Sequence, residues 1–204
     1  MAQCKVVSGL TTDTTQRLVL DAGAFFKNFY VETPDGGTTP PDTFESAVAA
    51  GKLLGATKGG GSFSAVPTLR TIEVDGARGA IKGMNIPESW EVKMGAKLLE
   101  VTVDTLSAAL ASTEQSVSGT ATKITGKVCI SDDDYIDNIT WAGNLSGSED
   151  LVYIQIYNAL NTKGLELTFE DKGEAVIETE FIAHYSMDSL DTPPFAIYYP
   201  AIGG

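Results

Sequence analysis

Val152-Tyr153-Ile154-Gln155-Ile156-Tyr157 alternates aliphatic with aromatic or polar side chains at a period of two. Side chains on an extended chain point to opposite faces in turn, so this is how a half-buried antiparallel strand reads. The same period recurs on both sides of it. Trp90, Val92 and Met94 alternate with Glu91 and Lys93, and beyond Gly95, read as a bulge or twist point, Leu99, Val101 and Val103 take up the pattern again. Ile124, Val128 and Ile130 share one face with Gly126, opposite Lys123, Thr125 and Lys127. With 21 glycines punctuating short Val-, Ile-, Thr-, Tyr- and Phe-rich segments, the expected class is mainly β, an antiparallel sandwich.

Two segments break the period. Asp104 is placed to cap a short helix from Thr105 to Ala111 with Leu106 and Leu110 on one face, and Phe44 to Leu54 holds a second helical turn ended by Gly51. Pro34, Pro40, Pro41 and Gly36-Gly37 make an exposed loop of the stretch within residues 32–52. Residues 1–16 read as an N-terminal arm and 186–204 as a Pro-rich tail, in which Phe195 to Tyr199 can add an edge strand, on its own chain or a neighbour's. A chain of 204 residues suits one domain spanning 1–204 and is long enough to bury about 70% of its unfolded surface.

Charge and residue usage narrow the function. Against 14 Lys and Arg stand 27 Asp and Glu, a net charge of −13, which disfavours binding to nucleic acid or an anionic membrane. With neither a signal-peptide stretch nor a run approaching the ~18 apolar residues of a membrane span, synthesis in the cytoplasm is expected, with Cys4 and Cys129 as reduced thiols. The one histidine, His184, shares strand parity with Glu178 and Glu180 but has no nucleophile motif to serve, and no cofactor is expected. In Lys58-Gly59-Gly60-Gly61 the lysine precedes the glycines, the reverse of a phosphate loop, so the run reads as a hinge. Asp132-Asp133-Asp134 lacks the glycine and glutamate of an EF-hand and reads as a solvated turn, with calcium as the alternative. No catalytic set emerges, and the expectation is a protein that is not an enzyme.

Two hairpins point to surfaces. Around Asp171-Lys172-Gly173 the flanking strands would pair Glu170 with Glu174 and Glu166 with Glu178, stacking carboxylates on one face while Leu167, Phe169 and Ile177 fill the other. Such a wall is solvated, met by a partner's Lys and Arg, or useful as an acidic surface. In the second, Asp75-Gly76 turns the chain between Arg70 to Val74 and Ala80-Ile81-Lys82, bringing Asp75 near Arg78 as a surface pair or an intersubunit contact.

An ordered set of blocks resembles the major tail tube proteins of long-tailed, siphovirus-type bacteriophages. They are Leu18 to Phe29, Leu53-Leu54-Gly55-Ala56-Thr57-Lys58-Gly59-Gly60-Gly61, Leu69-Arg70-Thr71-Ile72-Glu73-Val74-Asp75-Gly76-Ala77-Arg78-Gly79-Ala80-Ile81-Lys82-Gly83, Leu98-Leu99-Glu100-Val101-Thr102, the Ser131-Asp132 turn and Lys172-Gly173-Glu174-Ala175. The resemblance implies a virion protein whose β-sandwich carries a flanking helix. Six copies would close into a ring, hairpins from each would pool into a barrel around the lumen, and rings would stack into the tail tube. Implied partners are further copies of itself, a tape measure protein, tail terminator and baseplate or distal tail proteins, with DNA passing through unbound. Lys58, Glu73, Asp75, Arg78 and Lys82 are then candidate subunit contacts, and Glu166, Glu170, Glu174 and Glu178 a candidate lumen-facing acidic set. A carbohydrate-binding or adhesin-like sandwich is the alternative, suggested by Trp90, Trp141 and seven tyrosines.

Overall fold

Strand β7 (Leu151–Asn161) is the member on which the two layers meet. In the computed structural model, which describes residues 8–34, 39–169 and 171–201, the chain runs β1 (Ala24–Lys27), α1 (Phe44–Ala49), β2 (Thr57–Thr71), β3 (Asn85–Leu98), α2 (Val103–Ala109), β4 (Thr113–Ser118), β5 (Ala121–Gly126), β6 (Ile136–Asn144), β7, β8 (Ile177–Ile182) and β9 (Phe195–Tyr198). All pairings are antiparallel, in the order β1-β6-β7-β8-β3-β2 with β9 beside β7. The first part of β7 pairs with β6 and β9, whereas its end, Leu160 and Asn161, pairs with Ile182 and Phe181 of β8. One strand thus passes from one layer of the sandwich to the other.

The core lies between those layers. Phe25, Ile139 and Ile156 of β1, β6 and β7 meet Val92, Met94, Ala96, Leu98, Ile177 and Phe181 of β3 and β8. The expected alternation along Trp90 to Met94 and along Val152 to Ile156 therefore holds, but the far face of β7 is not left to solvent. Gln155 is 3% exposed there, donating to the Phe29 carbonyl at 2.6 Å and to Thr140 Oγ1 at 2.9 Å. Residues after β1 fold back over that face, burying Phe26, Phe29, Ala47 and Ala142 in a second cluster. The loop is pinned where Asp42 accepts from the Tyr30 N–H at 2.8 Å and pairs with Lys52 at 2.6 Å.

Several sequence expectations are corrected. β3 runs unbroken through Gly95 and ends at Leu98; Leu99 to Val103 do not resume it, because the Leu99 N–H goes to the Ala56 carbonyl and Thr102 caps a helix. That helix spans Val103–Ala109 rather than Thr105 to Ala111, and its cap is Thr102 in a reciprocal box with Thr105, not Asp104, which instead pairs with Lys27 at 2.9 Å. It buries Thr105 and Ala109 and leaves Leu110 exposed. α1 ends before Gly51, whose φ of 69° is the left-handed stop expected of it. Val128 and Ile130 lie beyond β5 and are exposed; β5 pairs only with β4, in a separate two-stranded hairpin closed at Gly119. The tail strand β9 joins its own chain's β7.

Lys58 to Gly61 is not a hinge. It lies inside β2, where positive φ at Gly59 and Gly60 makes a bulge between the Thr57–Leu98 and Gly61–Ala96 pairs. The next glycine is needed for packing: a Cβ on Gly61 would stand 2.4 Å from Phe25 Cζ and 2.2 Å from the Gly95 carbonyl. Gly61→Ala is expected to cost about 1–3 kcal/mol by overpacking, read as a lowered midpoint in urea with an unchanged slope.

Candidate functional site

β2 and β3 continue outward after the rest of the sheet has stopped. β8 flanks β3 only from Lys93 to Leu98, so from Val66 and Glu91 to Thr71 and Asn85 the two strands form a ribbon that has no third strand among the described residues. Val66 and Ile86 are exposed on one face of it and Leu69 on the other, with Val66 and Leu69 both 55% exposed. Pro67 and Pro87 sit within the ribbon, where missing N–H groups blunt indiscriminate edge pairing. Ile72, Val74 and Ile81 extend the exposed apolar surface into the tip.

The tip departs from the sequence expectation. Its ladder closes at Thr71 and Asn85, whose side chains hydrogen-bond at 2.7 Å, and residues 72–84 form a loop of turns rather than a tight Asp75-Gly76 hairpin. Gly76 and Gly83, with φ of 84° and 91°, turn the chain on either side of Ala80-Ile81-Lys82, which lies outside any strand. Asp75 and Arg78 form no ion pair; the ribbon's pair is Arg70 with Glu88 at 2.7 Å. Glu73, Asp75, Arg78 and Lys82 stand together on this loop, exposed, while Lys58 lies at the other end of β2 and is engaged with Glu174 at 2.7 Å. Sequence reading placed the tip as a contact but missed Val66, Leu69 and Ile86. The signal available was a strand pattern, Ser62 to Val66, that runs on into Leu69 and sets Val66, an aliphatic residue, on the face of Ser62, Ser64 and Thr68.

The second predicted hairpin does not form. Among the described residues of 162–176 there is no strand, and the positive φ at the turn belongs to Lys172 (63°), not Gly173. β8 instead pairs with β3, setting Glu178 opposite Lys97, which replaces a like-charge pair by an opposite one. Glu166, Glu174 and Glu178 do share one cleft of about 380 Å³ with Lys163, so the set is brought together apart from Glu170, which lies outside the described residues. Most of its charge is compensated. Lys163 and Lys97 hold the Glu178 carboxyl below the usual carboxylate range, and Lys58 does the same for Glu174. Leu167 packs on the core and Ile177 is buried, but Phe169 is exposed.

Asp132–Asp134 is a 3₁₀ turn. Asp134 pairs with Lys127 at 2.5 Å and accepts from the Ser131 N–H at 2.8 Å, and these two bonds lower its pKa to about 2. A depressed carboxyl stabilises the fold above the ordinary carboxylate pKa and ceases to as pH falls through the folded value. The melting-temperature advantage of wild type over Asp134→Asn should therefore be constant at neutral pH and shrink between about pH 4 and pH 2. Among the described residues no group of three or more His, Cys, Asp or Glu gathers to hold a metal ion.

His184 is away from Glu178 and Glu180 in its bonding: its Nδ1 lies 2.9 Å from the Asn158 carbonyl and its ring packs edge-on to Tyr135. Trp90 packs against Phe195, and Trp141 donates Nε1–H to the Ala22 carbonyl at 2.9 Å and lines a cleft of about 450 Å³ with Phe25 and Phe63. Cys129 is a free, exposed thiol. No helix among the described residues is long and apolar enough to cross a membrane.

The sequence matches no protein-family model and no curated protein.

Proposed function

We propose that this chain is a structural subunit that self-assembles, in the manner of the bacteriophage tail tube proteins its sequence blocks resemble. The observation that carries this reading is the β2–β3 ribbon, which projects the exposed apolar side chains Val66 and Ile86 on one face and Leu69 on the other. A two-stranded ribbon of that kind gains little by standing in water and much by pairing with other copies, which also removes its open edge. In this reading six copies close a ring, their hairpins pool into a lumen barrel, and the rings stack into the tail of a virion. A tape measure protein occupies the bore, and terminator and baseplate proteins end the tube. The net charge of −13 suits a conduit, since DNA phosphates meet like charge and find no basic site on which to lodge. Glu166, Glu170, Glu174 and Glu178 add less to this than their number suggests, because Lys58, Lys97 and Lys163 compensate two of them. The lack of a gathered catalytic set in the sequence fits an assembly role, with neither cofactor nor chemistry required. Electron microscopy of the concentrated protein tests it: rings or tubes of uniform bore are expected, and a strictly monomeric protein, alone and with its assembly partners, would overturn it.

A further inference from the structure

The cations of this acidic chain are unevenly used. Nine Lys and Arg side chains are in ion pairs, and among the described residues four are in none: Arg78 and Lys82 on the ribbon tip, Lys123 on the β4–β5 hairpin and Lys172 on the turn before Gly173. All four stand on protrusions, and only the tip offers two together, one of them a guanidinium, on the loop that also carries the exposed and unpaired Glu73 and Asp75.

At the base of the ribbon lies a cleft of about 400 Å³ with the complementary chemistry. Its walls include Tyr135, His184 and Tyr185, and its rim carries Asp132 and Asp188, neither of which is in an ion pair. The tyrosine and histidine rings meet edge-on with centroids 5.0 Å apart, and the Tyr185 hydroxyl accepts from the Trp90 N–H at 2.9 Å, which ties the cleft to β3. Aromatic faces with uncompensated carboxylates suit a planar cation, which can stack on the rings and donate to both oxygens of a carboxylate. Other clefts differ. That beside Phe25 and Trp141 is apolar apart from Asp21 and Ser62, and that at Glu166 already holds its lysines.

The chain's own tip is held away from its cleft. The ladder keeps β2 and β3 paired as far as Thr71 and Asn85, five residues and about 17 Å beyond Trp90. We infer that the cleft bounded by Asp132, Tyr135, Tyr185 and Asp188 receives the ribbon tip of a second copy, with Arg78 as the inserted cation and Lys82 at the rim. This rests on the self-assembly reading above and gives it a direction. Tip and cleft are different surfaces at different ends of the ribbon, so the contact is head-to-tail and leaves a free tip and a free cleft for the next copy.

Sedimentation velocity of the full chain, across protein and salt concentration, tests the pairing. Arg78→Glu/Lys82→Glu should raise the concentration needed for half-assembly at least about tenfold, and so should Asp132→Lys/Asp188→Lys, with restoration when the two are combined. Lys123→Glu/Lys172→Glu makes the same change in net charge and should have little effect; wild-type assembly should weaken with salt. Equal effects of the two Lys/Arg reversals would reduce the result to general repulsion and overturn the inference, as would no restoration. Far-UV circular dichroism checks folding, and Asp188→Lys alone replaces the cleft variant if that fails. Assembly of wild type with an unaffected tip variant overturns the pairing only, whereas a wild type that never assembles overturns the self-assembly reading as well.

Discussion

Phe25→Ala is expected to lower the unfolding free energy by about 3–5 kcal/mol, the range for truncating a buried aromatic ring, and to depress the melting temperature by roughly 6–20 °C for a chain of this size. Phe25 is 2% exposed and lies where the layers close: it is paired in register with Trp141, belongs to the main core cluster, and its ring occupies the space a side chain on Gly61 would need. Little can collapse into the gap, since Gly61 has no side chain to move and the β2 backbone is held by its ladder to β3. The neighbouring Phe26 faces the other way, into the cluster under α1, so the two rings are not redundant. Phe169→Ala is the matched control. That ring is 82% exposed on the segment before β8, and its removal should change stability by no more than about 0.5 kcal/mol. Urea unfolding of both variants gives the comparison, and similar losses at the two sites would mean that the core has been misplaced.

The contrast between Phe25 and Phe169 also marks where sequence is informative. Alternation at Val152 to Tyr157 and Trp90 to Met94 identified true strands, because a period-two pattern reports a burial imbalance between faces and that imbalance is local. What alternation cannot report is which strand lies alongside. Glu166 to Glu178 looked like two arms of a hairpin, yet β8 pairs with β3, since Glu178 beside Lys97 is better than Glu178 beside Glu166 and those partners are some 80 residues apart in sequence. Short polar signals are ambiguous by a residue or two. Asp104 and Thr102 are both good caps, and Thr102 is used because Thr105 returns its hydrogen bond. Glycine is the most ambiguous residue, because its sequence signal does not distinguish a bulge from a hinge or a loose turn from a tight one: Gly59 and Gly60 make a bulge, while Gly76 and Gly83 loosen the tip. The candidate contact residues were legible as exposed and charged, but the apolar ribbon beneath them was not. Val66, Leu69 and Ile86 have the composition of core residues, and only the end of β8 at Ile182 leaves them without cover.

Val66→Lys combined with Ile86→Lys should abolish assembly at concentrations where wild type forms rings or tubes, while leaving the isolated chain folded. The two positions share one face of the ribbon, as the Val66–Glu91 and Arg70–Ile86 pairings require, and no third strand among the described residues pairs there. In the free chain a lysine there is solvated and costs at most about 1 kcal/mol of strand preference. In an assembled copy the same side chain must be desolvated or must hold the neighbour away, and each aliphatic contact it replaces is worth about 1.5–3 kcal/mol when fully buried. Losing two raises the concentration for half-assembly at least about a hundredfold. Val117→Lys calibrates the effect: Val117 is 85% exposed on the β4–β5 hairpin, so it adds charge to an exposed apolar position off the ribbon. Light scattering on all three proteins at matched concentration separates the cases. If the ribbon variant assembles as wild type does while the Val117 variant fails, the subunit contact lies on the small hairpin; if neither fails, exposed strand faces do not hold copies together.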